Sequence, residues 1–341
     1  MIKILVVDDS AFMRLLLGDL LSKDGEIEII GTASDGQEAV KQTAQLKPDL
    51  VLLDMNMGDF DGLYAVEQIM KHCPCPILIL SSVGNTNLDP IFDALRLGAV
   101  DYINKPKKCG SKIREMENEL IARIKKVVGA SPKPTNIEEA GLNQLTHTFE
   151  PQPQYDIIAI GASTGGPTAI EKIITSLPAN LNVPVVIGQH MPHNFIHSFA
   201  RRLNSLSQLD VVVSKEGLTI KPGMIVIASG EGNTVVKKKG DTCTIAFSSQ
   251  EYKEYNNPSI NALLESVALT FGNKAIGVLL TGMGKDGVKG LRKILDAGGL
   301  TIAQDEASSI IYGMPKLARE KGAASVVLNI NEIGGYLVNC L

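Results

Sequence analysis

Short, fully apolar runs alternate with amphipathic helical patterns along two stretches of this chain, and nothing else in the sequence restricts its fold as tightly. In the first stretch Lys3–Val7, Glu28–Ala33, Leu50–Leu53, Ile77–Leu80 and Tyr102–Ile103 read as strands. Helical patterns separate and close them at Phe12–Ser22, Gly36–Leu46, Leu63–His72, Asp89–Leu97 and Lys112–Val128. Strands that are apolar on both sides need cover on both sides, which predicts a parallel sheet wrapped by helices. The alternation fails from Gly129 to Gln154, a polar segment with four prolines that cannot bury enough surface to order itself. It resumes with strands at Asp156–Ile160, Val183–Gly188, Val211–Val213, Ile225–Ala228, Ala275–Leu280, Leu300–Ala303 and Ser325–Leu328. Thr234–Lys239 and Thr242–Ser248 read as a hairpin around Lys239–Gly240–Asp241. The expectation is two doubly wound, mainly parallel-sheet α/β domains, residues 1–125 and 155–341, joined by a flexible linker over 126–154.

Bulk properties remove several function classes. A formal net charge of -4 offers no basic excess for nucleic acid. No apolar run approaches the roughly 20 residues that span a bilayer, and MIKILVVDDS lacks the apolar stretch and cleavage site of a signal peptide. The five cysteines (Cys73, Cys75, Cys109, Cys243, Cys340) contain no CxxC pair, which points to reduced thiols. A monomeric cytoplasmic protein, not inserted in a membrane, is expected.

Chemistry-bearing residues fall at the carboxyl ends of the predicted strands, where ligands bind in such sheets. Asp8 and Asp9 end the first strand and Asp54 the third; Ser81 ends the fourth, and Lys105 follows the fifth, before Pro106. Three clustered carboxylates repel one another unless a hard cation such as Mg²⁺ joins them. Lys105 supplies a point charge for a phosphoryl oxygen and Ser81 a hydroxyl donor, and the bond into Pro106 is open to a cis form. VVDDSAFMR, LLDMNMGDFDG, LILSS and GAVDYINKP make this segment resemble the receiver domain of two-component response regulators. The resemblance implies that Asp54 accepts phosphate from a histidine kinase. It implies that Asp8, Asp9, Asp54 and a carbonyl near Asn56 hold Mg²⁺, and that Ser81 and Tyr102 reorient on phosphorylation. Met57–Gly58 departs from the usual Met-Pro, and a looser loop is expected there.

In the second stretch an apolar strand runs into GASTGG, Gly161 to Gly166, and then a helix. The turn would expose Ser163 and fits G-x-S-x-G, although a glycine-rich turn before a helix can also cradle phosphate. It does not spell G-x-G-x-x-G, and no Walker lysine follows. A serine nucleophile needs a base and a group that orients the base. His190 ends the strand VVIGQHMP, on the edge expected for Ser163; His193 and His197 open the next helix, and His72 and His147 lie elsewhere. Asp286, in LTGMGKDG, reads either as the orienting acid or as an N-cap of the helix from Val288. The N–H groups of that glycine-rich loop could bind an oxyanion. The order Ser163, His190, Asp286 is not that of α/β-hydrolases.

GASTGG, QHMP and LTGMGKDG, behind a receiver and a linker, resemble the chemotaxis response regulator protein-glutamate methylesterases over nearly the whole chain. The resemblance implies a flavodoxin-like receiver and a Rossmann-like methylesterase domain with a β-hairpin. It implies Ser163 as nucleophile, His190 as base and acid, Asp286 as orienting acid and the Met283 N–H as oxyanion donor. The substrates it implies are methylated glutamates, and many members' glutamines, on chemoreceptors, hydrolysed without a cofactor. Gln304–Ser308 and Tyr312–Pro315 match family stretches expected to shape the site. Two stretches depart from the family. Ser229–Asn233 lacks a histidine at Asn233, and Asn257–Asn261 lacks an arginine at Asn257 and an aspartate at Asn261. The rim of the site or the interface between domains is expected for these positions.

Overall fold

The computed structural model describes residues 1–81, 88–105, 112–130, 132, 155–240 and 242–341. The chain divides into two compact units, Met1–Thr135 and Asn136–Leu341.

The first unit is a parallel five-stranded sheet in the order β2-β1-β3-β4-β5, made of β1 (Ile2–Val7), β2 (Ile27–Ala33), β3 (Leu50–Asp54), β4 (Ile77–Ser81) and β5 (Asp101–Asn104). The helices between strands are α1 (Ala11–Leu21), α2 (Gly36–Leu46), α3 (Gly62–His72) and α4 (Asp89–Leu97), with α5 (Lys112–Val127) closing the unit. Each of the first three starts where a side chain takes up an otherwise unpaired N–H: Ser10 from Met13, Asp35 from Glu38, Asp61 from Tyr64. Every residue of β3 and β4 is buried, as strands covered on both faces require. The parallel register places Asp54 beside Leu80 and Ser81 beside Asn104, so the strand ends converge on one edge.

The second unit is a parallel seven-stranded sheet in the order β14-β13-β12-β6-β7-β9-β8. Its strands are β6 (Ile157–Ala162), β7 (Val185–Gln189), β8 (Asp210–Val213), β9 (Met224–Ile227), β12 (Ala275–Leu279), β13 (Leu300–Gln304) and β14 (Val326–Leu328). The hairpin of β10 (Asn233–Lys239) and β11 (Thr242–Ser248) stands apart as an antiparallel pair. The helices are α6 (Gly166–Thr175), α7 (His193–Leu206), α8 (Ile260–Phe271), α9 (Val288–Asp296), α10 (Met314–Glu320) and α11 (Ile330–Asn339). From β6 the chain moves to one side through β7, β9 and β8, and later returns to the other side with β12. The edge beside β6 is therefore the crevice where the strand order reverses, the usual ligand site of such sheets.

The predicted strands and helices all occur, with ends that move by one or two residues. Two of those shifts matter: β6 runs through Ala162, directly behind Ser163, and β3 and β4 end on Asp54 and Ser81 themselves. Pro106, Cys109, Asp241, His147 and most of the expected linker lie outside the described residues, while α5 takes in its first two positions. The described cysteines, Cys73, Cys75, Cys243 and Cys340, are free thiols.

Candidate functional site

At the first unit's edge Lys105 Nζ lies 2.7 Å from both Asp8 Oδ2 and Asp54 Oδ2. Burial raises the Asp54 carboxyl above its ordinary range, and the Lys105 contact only partly offsets it. Burial also works against charge on Lys105, but its hydrogen bonds to Asp54 and Asp8 outweigh that and hold the ammonium above its usual range. One oxygen from each of Asp8, Asp9 and Asp54 lies within 4.8 Å of the others. Asp54 Oδ1 and Ser81 Oγ are buried and make no hydrogen bond. A buried carboxylate oxygen without a partner, beside two further carboxylates, suits a hard divalent cation. Tyr102 is buried in β5.

At the second unit's crevice the ends of β6, β7 and the loop after β12 bring Ser163, His190 and Asp286 together. His190 Nδ1 is 3.1 Å from Ser163 Oγ, and Nε2 is 2.8 Å from Asp286 Oδ2. That Asp286 oxygen also accepts the Ile260 N–H at 2.7 Å, so it acts as an acceptor and leaves Nε2 to carry the imidazole proton. Nδ1 is then the acceptor facing the Ser163 hydroxyl. His193, by contrast, has its Nδ1 2.7 Å from the Ser229 carbonyl and meets His197 edge to face.

Local sequence explains the approach of these groups. Gly165 sits at φ 76° and turns β6 into α6, while a Cβ on Gly166 would fall 2.0 Å from Gln189 Oε1. Gln189 is the buried residue before His190; it donates to the Ser163 and His190 carbonyls and so ties the two strand ends. A Cβ on Gly282 would lie 2.6 Å from the Ser163 Cβ, so the loop after β12 packs closely against Ser163. That loop is held from beneath. Gln304 accepts the Thr281 N–H at 2.7 Å, and Gly282 pairs with Ile311 and Met314.

Asp286 does not cap the helix from Val288, whose N-cap is Gly287 without a side-chain bond. It lies instead at the N-terminus of α8, where its carboxylate accepts N–H groups of Ile260 at 2.7 Å and Asn261 at 2.9 Å, as well as Gly287 at 3.0 Å. No spacing in the sequence links residue 286 to residue 260, so this partnership is tertiary. Tyr255 is a residue at the site that the sequence did not single out. Its ring stacks on His190 with centroids 3.8 Å apart.

Residues 158–337 match the family model described as CheB methylesterase, and residues 4–116 match the response regulator receiver domain. A Sulfurimonas denitrificans protein named protein-glutamate methylesterase/protein-glutamine glutaminase is 42% identical over 100% of this chain and 98% of its own length. A Thermotoga maritima protein of the same name is 37% identical over 99% of this chain and 98% of its own. The chain belongs to the CheB methylesterase family. The crystal structure of the Thermotoga maritima CheB methylesterase catalytic domain covers 55% of this chain and 100% of that one, with 36% identity and a TM-score of 0.54. Among the described residues, no helix is long and apolar enough to cross a membrane.

The departures from the usual CheB spelling acquire a structural account. Asn233 and Asn261 are buried beneath the site, not set on its rim. Asn233 donates to the Gln250 carbonyl and to Asn256, and its Oδ1 accepts the N–H groups of Asn257 and Ser259. It clamps the loop that carries Tyr255 into α8. Asn257 adopts φ 54°, a left-handed conformation asparagine enters more readily than most residues. Asn261 Oδ1 accepts the Gly290 N–H and so joins α8 to α9. Gly58 sits at φ 73°, which proline's ring forbids, so this loop turns differently from one built on Met-Pro.

Proposed function

We propose that this chain hydrolyses glutamate methyl esters on chemoreceptors, and deamidates receptor glutamines, at a rate set by phosphate on Asp54. The observation that carries the reading is the single imidazole of His190 bridging Ser163 and Asp286 at 3.1 and 2.8 Å. As Ser163 Oγ attacks the ester carbonyl, His190 Nδ1 takes its proton and the resulting imidazolium is held by Asp286. Met283 N–H is assigned to the oxyanion. The Ser163 and Gly282 N–H groups are spent on the Thr281 and Ile311 carbonyls, so the next amide along the loop is the one proposed for this role. His190 returns the proton to the departing methoxide, giving methanol and an acyl-serine. Water, deprotonated by His190, then releases glutamate and restores Ser163. A glutamine amide follows the same course with ammonia leaving.

In the receiver, Asp8, Asp9 and Asp54 would hold Mg²⁺, which neutralises the incoming phosphoryl oxygens when bound. Asp54 is the acceptor from a histidine kinase, and Lys105 and the unpaired Ser81 hydroxyl pair with the phosphate. The chain acts as a monomer in the cytoplasm.

Methanol release from radiolabelled, methylated receptor membranes tests the reading. Ser163→Ala should keep the fold and lose several powers of ten in rate, since covalent catalysis goes with the nucleophile. Activity within about tenfold of the unaltered protein would remove Ser163 from the mechanism.

A further inference from the structure

We propose that Tyr255 is a positioning residue for His190, fixing the tilt of its imidazole and stabilising it while it carries the serine's proton; this rests on the hydrolytic reading above. Two in-plane hydrogen bonds, to Ser163 and Asp286, fix the edges of the His190 ring. Rotation about the Cβ–Cγ bond swings both nitrogens out of the plane of those bonds, and atoms packed on the faces of the ring add resistance to that motion. Tyr255 supplies such a face. The rings are nearly parallel, at 21°, with centroids 3.8 Å apart. Tyr255 is 41% exposed, whereas the His190 side chain is 7% exposed, so the phenol ring lies between the imidazole and water.

The tyrosine is itself held. Glu254 is paired with Lys289 at 2.8 Å. Asn256 exchanges hydrogen bonds with the backbone of Tyr252, and Asn233 grips Asn256 and Asn257. A ring presented this firmly can do two things for the base. It excludes water from one face, and its π cloud attracts the imidazolium that forms when Nδ1 accepts the Ser163 proton. Both roles act through the His190 ring on which Tyr255 is stacked, and neither requires the Tyr255 hydroxyl.

The experiment compares the full chain, treated with acetyl phosphate and Mg²⁺, as Tyr255→Phe, Tyr255→Trp and Tyr255→Leu. Two rates are read: methanol release from methylated receptor membranes, and inactivation of Ser163 by a fluorophosphonate, which reports the nucleophile without the receptor. Phe and Trp keep the ring face and are expected to stay within about twofold of the unaltered chain in both rates. Leu keeps bulk but no π face and should lower kcat and the inactivation rate by about fivefold to tenfold, with KM nearly unchanged. Thermal melting identifies any loss of fold, and the Phe and Trp variants decide the question if Leu does not fold. Equal rates for Leu and the unaltered chain would overturn the proposal. So would a Phe or Trp variant as slow as Leu, or a loss confined to KM, which would make Tyr255 a receptor contact. Failure of the fluorophosphonate to label Ser163 in the unaltered chain would instead remove the hydrolytic reading itself.

Discussion

At the scale of single residues, His190 is used the other way round from the trypsin-type triad. There Nε2 serves the serine and Nδ1 the aspartate; here Nδ1 faces Ser163 and Nε2 faces Asp286. The proposed chemistry is unaffected, because either nitrogen can be the base once the other is pinned. Asp286 has a second task that trypsin-type logic does not give it. Besides its bond to His190 it accepts three backbone N–H groups, two of them from the first turn of α8, where the helix dipole favours negative charge. Asp286→Asn keeps an oxygen for His190 but turns an NH₂ toward donors. It should therefore lose less activity than His190→Ala, which removes the base, yet be the less stable of the two by about 1–3 kcal/mol. Methanol-release rates and urea unfolding of both variants decide this; an Asp286→Asn protein slower than His190→Ala would require the roles to be reassigned.

At the scale of elements, the sheet register brings Ser163 and His190 side by side, since Ala162 pairs with Gln189 and each of the two follows directly on its strand. The third member depends on a longer chain of support. Asn233 opens β10, grips the loop over Gln250–Ser259, and so sets where α8 begins; α8 in turn presents its free N–H groups to Asp286. Asn233→Ala would strand the N–H groups of Asn257 and Ser259, of which the second is fully buried. A loss of about 1–3 kcal/mol in stability is expected, accompanied by a fall in kcat, because Tyr255 and the α8 terminus would no longer be fixed against His190 and Asp286. Denaturant unfolding read beside steady-state kinetics checks both. Stability lost with kcat intact would show that the loop shapes the fold but not the catalytic geometry.

At the scale of the whole molecule, one unit carries a carboxylate cluster suited to phosphate chemistry and the other a hydrolytic site. A tether holds a receiver at high effective concentration near its output domain, so a phosphorylation-dependent change in affinity between them can alter the active population. An acyl phosphate on Asp54 would carry roughly -1.5 to -2 charges in place of the single charge of the carboxylate. The fragment from Tyr155 to Leu341 should thus be more active than the intact unphosphorylated chain, and acetyl phosphate with Mg²⁺ should raise the intact chain toward it. Asp54→Ala should stay low with the phosphodonor present. EDTA should block activation of the intact chain while leaving the fragment's hydrolysis unchanged, since in the proposed mechanism side chains alone supply the nucleophile, the base and the orienting acid. If fragment, intact chain and phosphorylated chain all match in rate, the receiver does not gate this enzyme.

The alternation of apolar runs and helical patterns was enough by itself to give two wound parallel sheets, because burial on both faces of a strand leaves little other choice. The strand ends and glycines were enough to bring Asp8, Asp54, Ser81, Ser163 and His190 to sheet edges, since ligands gather where parallel strands stop. Local pattern could not reach what depends on contacts between distant segments. It could not show that Asp286 completes the N-terminus of α8 and not of α9, that His190 turns Nδ1 to the serine, or that Tyr255 covers the imidazole. Nor could it show Asn233 clamping the loop between them, because a buried asparagine reads as any polar residue until its partners are in place. Each of these is a choice among hydrogen bonds and ring contacts made across tens of residues, and the packed fold alone selects among them.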